Sequence, residues 1–182
     1  MLRPFYLLIF KMTGWKIEGD FPKELKKYVV AVAPHTSNWD FPVGVAARSI
    51  LRMQQAKFIG KSQLFKAPFG WFFRWLGGIP VDRTQRHDMV EQVAERIKAA
   101  DRFILAMAPE GTRKKVEKLR TGFYYIALKA GIPIFPVGFD FRRKRVVIGA
   151  PLQPSGDYET DERTLLSFYK GIRGKNPELG IH

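Results

Sequence analysis

Short apolar runs and helical periods alternate along this chain. Residues 29–33, Val-Val-Ala-Val-Ala, form a continuous apolar run rich in β-branched side chains, which predicts a strand covered on both faces of a sheet. Pro34 stops the run. Ser37 and Asn38 are helix N-cap types, and Phe41, Val45, Ala46 and Ile50 begin a helical period, so Asp40 is expected in the first turn of a helix. Further strand-like runs fall at 57–60, 79–81, 103–107, 131–137 and 146–148. Helical spacing recurs from Asp88, through Met89, Val90, Val93, Ala94, Ile97 and Ala100, and again at 121–130 and 161–172. The alternation predicts an α/β fold: a single domain over 1–182 with a mixed, mostly parallel central sheet flanked by helices.

Two stretches stand outside this pattern. Near the N-terminus, Phe5 to Phe10 is uninterruptedly apolar and flanked by Arg3, Lys11 and Lys16. That run is far short of the ~20 residues needed to span a bilayer. It also lacks the small-residue cleavage site of a signal peptide. Residues 1–16 are therefore expected to form a helix that packs on the core, lies in a membrane interface, or does both. The second stretch, 61–76, sets Phe65, Phe69, Trp71, Phe72, Phe73 and Trp75 among lysines and an arginine before Gly77-Gly78. Such a mixture suits a membrane interface, an acyl-chain groove or a core helix.

Charge narrows the choice of partners. Lys plus Arg number 31 against 17 Asp plus Glu, a net charge of +14, which favours an anionic membrane surface, phosphorylated substrates, an acidic protein or nucleic acid. No nucleic-acid module signature appears, so no nucleic acid is expected as partner. The chain has no cysteine, which excludes disulfides, thiolate metal sites and a cysteine nucleophile, and which fits a reducing, cytoplasmic setting. Its three histidines, His35, His87 and His182, are far apart, so no metal site is expected.

The candidate chemistry sits at the end of the 29–33 run. His35 and Asp40 are five apart, which on one continuous helix would separate the side chains by about 140°. A turn between strand and helix removes that objection. The carboxylate can then fix one imidazole nitrogen and leave the other to take a proton from a substrate, a base and its orienting group without a nucleophile of their own. The competing reading is a histidine capping a strand and an aspartate capping a helix. A second polar loop, Pro109-Glu110-Gly111-Thr112-Arg113-Lys114-Lys115, follows the 103–107 run, and functional residues of open α/β sheets collect outside the carboxyl ends of strands.

Four blocks in order, between about Val29 and Val137, resemble the glycerolipid acyltransferase family that contains 1-acyl-sn-glycerol-3-phosphate acyltransferases. They are His35-Thr36-Ser37-Asn38-Trp39-Asp40; Lys61 through Leu64, Pro68, Gly70, Gly77-Gly78 to Arg83; Pro109-Glu110-Gly111-Thr112-Arg113; and Ile132-Pro133-Ile134-Phe135-Pro136-Val137. The resemblance implies that residues 28–140 carry the motifs of an acyltransferase domain, with His35 as general base and Asp40 as its orienting partner. It implies that Arg83, Glu110, Gly111, Thr112 and Arg113 bind the acceptor. It also implies O-acyl transfer from acyl-coenzyme A or acyl carrier protein, as co-substrate and without a cofactor, to a lysophospholipid, foremost 1-acyl-sn-glycerol 3-phosphate, by a protein peripherally attached to an anionic membrane. Ala108, Lys114 and Thr121 depart from the family's usual phenylalanine, serine and lysine, all near the acceptor set. The alternatives are a non-catalytic lipid- or membrane-binding module on the same fold and an acyltransferase acting on another acceptor. An esterase is disfavoured, because no Gly-x-Ser-x-Gly elbow is present.

Overall fold

The computed structural model describes residues 2–81 and 86–180. Seven strands form one sheet: β1 (Lys16–Glu18), β2 (Lys27–Val32), β3 (Lys57–Lys61), β4 (Gly78–Val81), β5 (Phe103–Met107), β6 (Ile134–Asp140) and β7 (Arg145–Ile148). Among the described residues six α-helices accompany them: α1 (Arg3–Thr13), α2 (Asp40–Ile50), α3 (Gly70–Trp75), α4 (Arg86–Ala99), α5 (Gly122–Ala130) and α6 (Tyr158–Tyr169). The strand order is β1-β7-β6-β2-β5-β3-β4. From β6 to β4 all neighbours run parallel, whereas β7 is antiparallel to β6 and β1 is parallel to β7. The expected mixed, mostly parallel sheet is what the chain forms.

Strand β2 lies in the middle and is buried on both faces. Val29 and Ala31 join Leu105, Ile134, Phe123 and Ile126 in one apolar cluster, with α4, α5 and α6 above it. Tyr28 and Val30 face the other way and join Phe135, Val137, Phe10 and Ala46, beneath α1 and α2. Because successive strand side chains alternate, a strand covered on both sides must be apolar at every position, which explains the run at 29–33.

Several boundaries differ from the sequence reading. Helix α6 starts at Tyr158 rather than Asp161, because the Asp157 carboxylate caps it by accepting from the Thr160 amide at 3.3 Å. Asp161 is instead buried, where it accepts from Tyr124 Oη at 2.8 Å and from the Ser155 amide at 2.7 Å. Helix α4 begins at Arg86, so Asp88 lies in its first turn and is not the residue before it. Gly131 closes α5 in the left-handed region, φ +66°, which delays β6 to Ile134. The three-residue β1 is too short to leave a periodic signal and is held by pairing with β7.

The N-terminal segment both packs and exposes apolar surface. Phe10 of α1 is buried against Trp15, while Phe5, Leu8 and Met12 are exposed. Helix α3 follows the carboxyl end of β3 and sets Phe73 against Phe41, leaving Phe69, Trp71 and Trp75 about two-thirds exposed. Among the described residues, no helix is long and apolar enough to cross a membrane.

Phe135 is 1% exposed and packs edge-on against both Phe21 and Tyr28. Phe135→Ala is expected to destabilise the fold by about 3–5 kcal/mol, read as a lowered urea midpoint with an unchanged slope.

Candidate active site

Because β6, β2 and β5 run parallel, the loops leaving them emerge at one edge of the sheet. His35 stands three residues past Val32, and Glu110 three past Met107. Between Pro34 and Asp40 the chain turns sharply enough to bring the ends of the motif together: His35 Nδ1 lies 2.9 Å from Asp40 Oδ2. The same oxygen accepts the amides of Thr36 and Ser37, each at 2.9 Å. A carboxylate at the start of α2 therefore organises the turn before it, and the helix dipole favours its negative charge there. The imidazole is 29% exposed and the carboxylate 2%, so the orienting group is sealed and the ring reaches the surface. With Nδ1–H donated to Asp40, Nε2 is the basic nitrogen.

The cap assignments of the sequence reading shift here. Ser37 Oγ accepts from the Trp39 amide at 3.2 Å and so stabilises the turn, while Trp39 occupies the N-cap position without a side-chain cap. Asn38 serves elsewhere: its side-chain carbonyl accepts from Arg113 Nη1. This bond links the first block to the third, across 75 residues of sequence.

The loop after β5 reaches the same turn from the other side. Glu110 is 1% exposed, and its Oε2 accepts the backbone N–H of His35 at 2.5 Å. Burial pushes its carboxyl up to about 7; the His35 amide and imidazole oppose that shift, and Asp40 adds to it. Asp40 Oδ1 and Glu110 Oε1 are buried without a hydrogen-bond donor among the described residues. Gly111 has φ +63°, and a Cβ there would come within 2.4 Å of Arg120 Cδ, so both the turn and the crossing side chain call for glycine. Arg120 ties the loop down, its amide donating to Pro109 O at 2.7 Å. Thr112 Oγ1 accepts from the Lys114 amide at 3.3 Å, and Arg113 is exposed beside Asn38.

The structure thus gathers His35, Asp40, Glu110, Gly111, Thr112 and Arg113 at one edge. Arg83 lies outside the described residues. Glu110 faces inward and holds the backbone of the residue that carries the imidazole. Asn38 was read from sequence only as a helix N-cap type within the first block, and Arg120 and Asn176 were not singled out. The last donates from its amide to Thr36 Oγ1 at 3.2 Å and from Nδ2 to Thr36 O at 2.9 Å, which clamps the turn from the C-terminal tail. No motif or period marks Asn176. Asn38 and Arg120 lie within or beside motif blocks, but only the folded loops pair them. Among the described residues, no group of three or more His, Asp or Glu side chains is placed to hold a metal ion.

A mostly parallel α/β sheet with a histidine–carboxylate pair at its carboxyl edge places the chain in the class of α/β proteins that set an imidazole and its orienting carboxylate at the strand ends. Comparison with known proteins makes that class specific. An acyltransferase family profile matches residues 15–140, and the chain belongs to that family. It is 30% identical over 138 residues to a 1-acyl-sn-glycerol-3-phosphate acyltransferase of Haemophilus influenzae, covering 71% of this chain and 55% of that protein. It is 32% identical over 135 residues to the protein of the same name from Escherichia coli, covering 69% and 53%. The chain spans about half the length of these curated relatives. The crystal structure of the 1-acyl-sn-glycerophosphate (LPA) acyltransferase PlsC of Thermotoga maritima is similar with a TM-score of 0.58 at 25% identity, over 96% of this chain and 80% of that one.

The raised carboxyl of Glu110 has a consequence for stability. Between its ordinary value of 4.5 and about 7, the folded chain keeps a proton that the unfolded chain has released, so stability falls as pH rises through that window. The full loss is about 3 kcal/mol above pH 7. Glu110→Gln is expected to flatten this decline, measured as urea midpoints at pH 5 and pH 8.

Proposed function

We propose that this chain transfers a fatty acyl group from a thioester donor, acyl-coenzyme A or acyl carrier protein, to the free hydroxyl of a lysophospholipid, foremost 1-acyl-sn-glycerol 3-phosphate. The observation that carries the reading is the 2.9 Å contact between His35 Nδ1 and the sealed Asp40 carboxylate, with the ring itself partly exposed. As the acceptor oxygen attacks the thioester carbonyl carbon, Nε2 takes its proton. The tetrahedral intermediate then collapses, the carbon–sulfur bond breaks, and the imidazolium returns the proton to the departing thiolate. An ester and a free thiol result, with no acyl-enzyme. Asp40 orients the ring and stabilises the transient imidazolium.

Arg113, with Arg83, Gly111 and Thr112, is assigned to the acceptor. An arginine fork matches two phosphate oxygens at once, and glycine lets the backbone approach closely. Glu110 positions His35 through its backbone, and its free Oε1 is the atom through which it would meet an acceptor hydroxyl. The names of the similar proteins support the acceptor class.

His35→Ala is expected to lower transfer by about 10²–10⁴-fold while circular dichroism and the melting temperature stay put. Arg113→Ala should raise the acceptor KM by about tenfold for phosphate-bearing lysolipids and less for neutral ones. Equal activity of the unmodified protein and His35→Ala would overturn the assignment.

A lipid acceptor requires access to a membrane, and peripheral attachment to an anionic surface is part of the proposal. Exposed Phe5, Leu8 and Met12 of α1, together with Phe69, Trp71 and Trp75 around α3, provide the apolar contacts. The net charge of +14 adds attraction of about 1 kcal/mol for each basic residue near the lipid. Trp71→Ala/Trp75→Ala is expected to weaken sedimentation with phosphatidylglycerol vesicles severalfold; unchanged binding would remove α3 from the contact.

A further inference from the structure

The turn Arg142-Arg143-Lys144-Arg145 joins β6 to β7 and carries four consecutive cations. Three of them are engaged. Arg143 Nε lies 2.7 Å from Asp140 Oδ2, Lys144 Nζ donates to Thr13 O at 3.0 Å, and Arg145 Nε lies 2.8 Å from Glu18 Oε1. Arg142 makes no ion pair among the described residues. It lines a cavity of about 400 Å³ with Phe141, Arg173, Gly174, Lys175 and Pro177. Arg173 and Lys175 are likewise exposed and without an ion pair among the described residues. Three unneutralised cations around one concavity concentrate anions there, and the volume falls within the ~300–1,000 Å³ of small-ligand sites.

The cavity adjoins the candidate active site. Phe141 directly follows β6, and its amide donates to Arg173 O at 2.8 Å, which fixes the C-terminal tail at the carboxyl edge of the sheet. Gly174, in the cavity wall, packs so closely on Thr36 that a Cβ would sit 2.5 Å from its Oγ1. Thr36 is the residue after His35. In the strand order β6 and β5 flank β2 on opposite sides, so this cavity and Arg113 approach His35 from opposite directions along the sheet.

We propose that the cavity receives the phosphate ester at the far end of the donor's pantetheine arm, with Arg142, Arg173 and Lys175 as its cations; this rests on the thioester reading above. Both substrates of that reaction carry phosphate, and cations on opposite sides of His35 give each phosphate its own place, the donor's at the end of its arm and the acceptor's beside Arg113. Guanidinium groups match phosphate oxygens as a fork, and lysine adds a mobile point charge. Phe141 and Pro177 give the uncharged arm an apolar wall. The phosphopantetheine ester is common to coenzyme A and acyl carrier protein, so the site reads the chemistry the two donors share.

The test separates this site from the reaction itself. Binding of 4′-phosphopantetheine, coenzyme A and unphosphorylated pantetheine is measured by calorimetry, alongside steady-state kinetics with each donor class. The full chain is compared with Arg142→Ala/Arg173→Ala/Lys175→Ala, whose exposed substitutions should leave the melting temperature nearly unchanged. Expected are phosphate-dependent binding, its weakening by at least tenfold in the triple variant, and a matching rise in donor KM with the lysophosphatidate KM within twofold. A triple variant that binds phosphopantetheine as the unmodified chain does, or absence of binding to the unmodified chain, overturns the site even if transfer proceeds. A rise confined to the lysophosphatidate KM overturns it in favour of an acceptor site. Phosphate-dependent binding in a chain that transfers no acyl group sustains the site and discards the reaction. Transfer from only one donor class, with its KM raised in the triple variant, sustains the site and identifies the donor; a rise for one class where both are used overturns the shared ester.

Discussion

One buried carboxylate oxygen, Asp40 Oδ2, receives the imidazole of His35 and the backbone amides of Thr36 and Ser37. The turn needs the carboxylate because those amides lie past the end of β2 and before the first full turn of α2, where neither strand nor helix supplies an acceptor. The carboxylate in turn needs the sheet, since only a strand buried on both faces can deliver the chain to this depth. From these two conditions the orientation of the imidazole follows: Nδ1 is directed inward to Asp40, which makes Nε2 the basic nitrogen.

A second carboxylate completes the arrangement at a cost. Glu110 holds the amide of His35 while Asp40 holds its ring, so backbone and side chain of one residue are fixed from two different loops. Glu110 is buried with a single donor among the described residues, and its carboxyl rises to about 7. An acid kept in this setting weakens the fold near neutrality, and the two apolar clusters on either face of β2 offset that loss. The tail residue Asn176 and the crossing side chain of Arg120 reinforce the same few atoms. Rigid support around one histidine is what pre-organised proton transfer requires.

The strong positive charge is distributed by role. Arg143 and Arg145 pair with acids, and Lys144 binds the end of α1, so part of the charge is structural. Arg113 is held by a neutral amide, which leaves its charge available to an anion. Arg142, Arg173 and Lys175 surround a cavity on the far side of His35. Apolar exposure is heaviest around α1 and α3, with Trp39 exposed in the turn of the site, and α3 follows a strand whose carboxyl end lies on the same edge.

The sequence by itself determined the parallel core and the main pair of the site. A double-sided strand must be apolar throughout, so 29–33 was legible, and a short turn forces His35 and Asp40 together, so local spacing carried that contact. Ordered motif blocks marked Glu110 to Arg113 for the same edge. Only the tertiary structure decided what those residues touch. Glu110 turns inward to an amide 75 positions away, Asn38 meets Arg113 across the same distance, and Asn176 reaches Thr36 across 140. Such contacts leave no period in the chain, because they are set by strand order and by the depth at which each loop leaves the sheet. The same holds for the cations at 142–145, which are alike in sequence and differ in whether an acid, a backbone carbonyl or a cavity faces them.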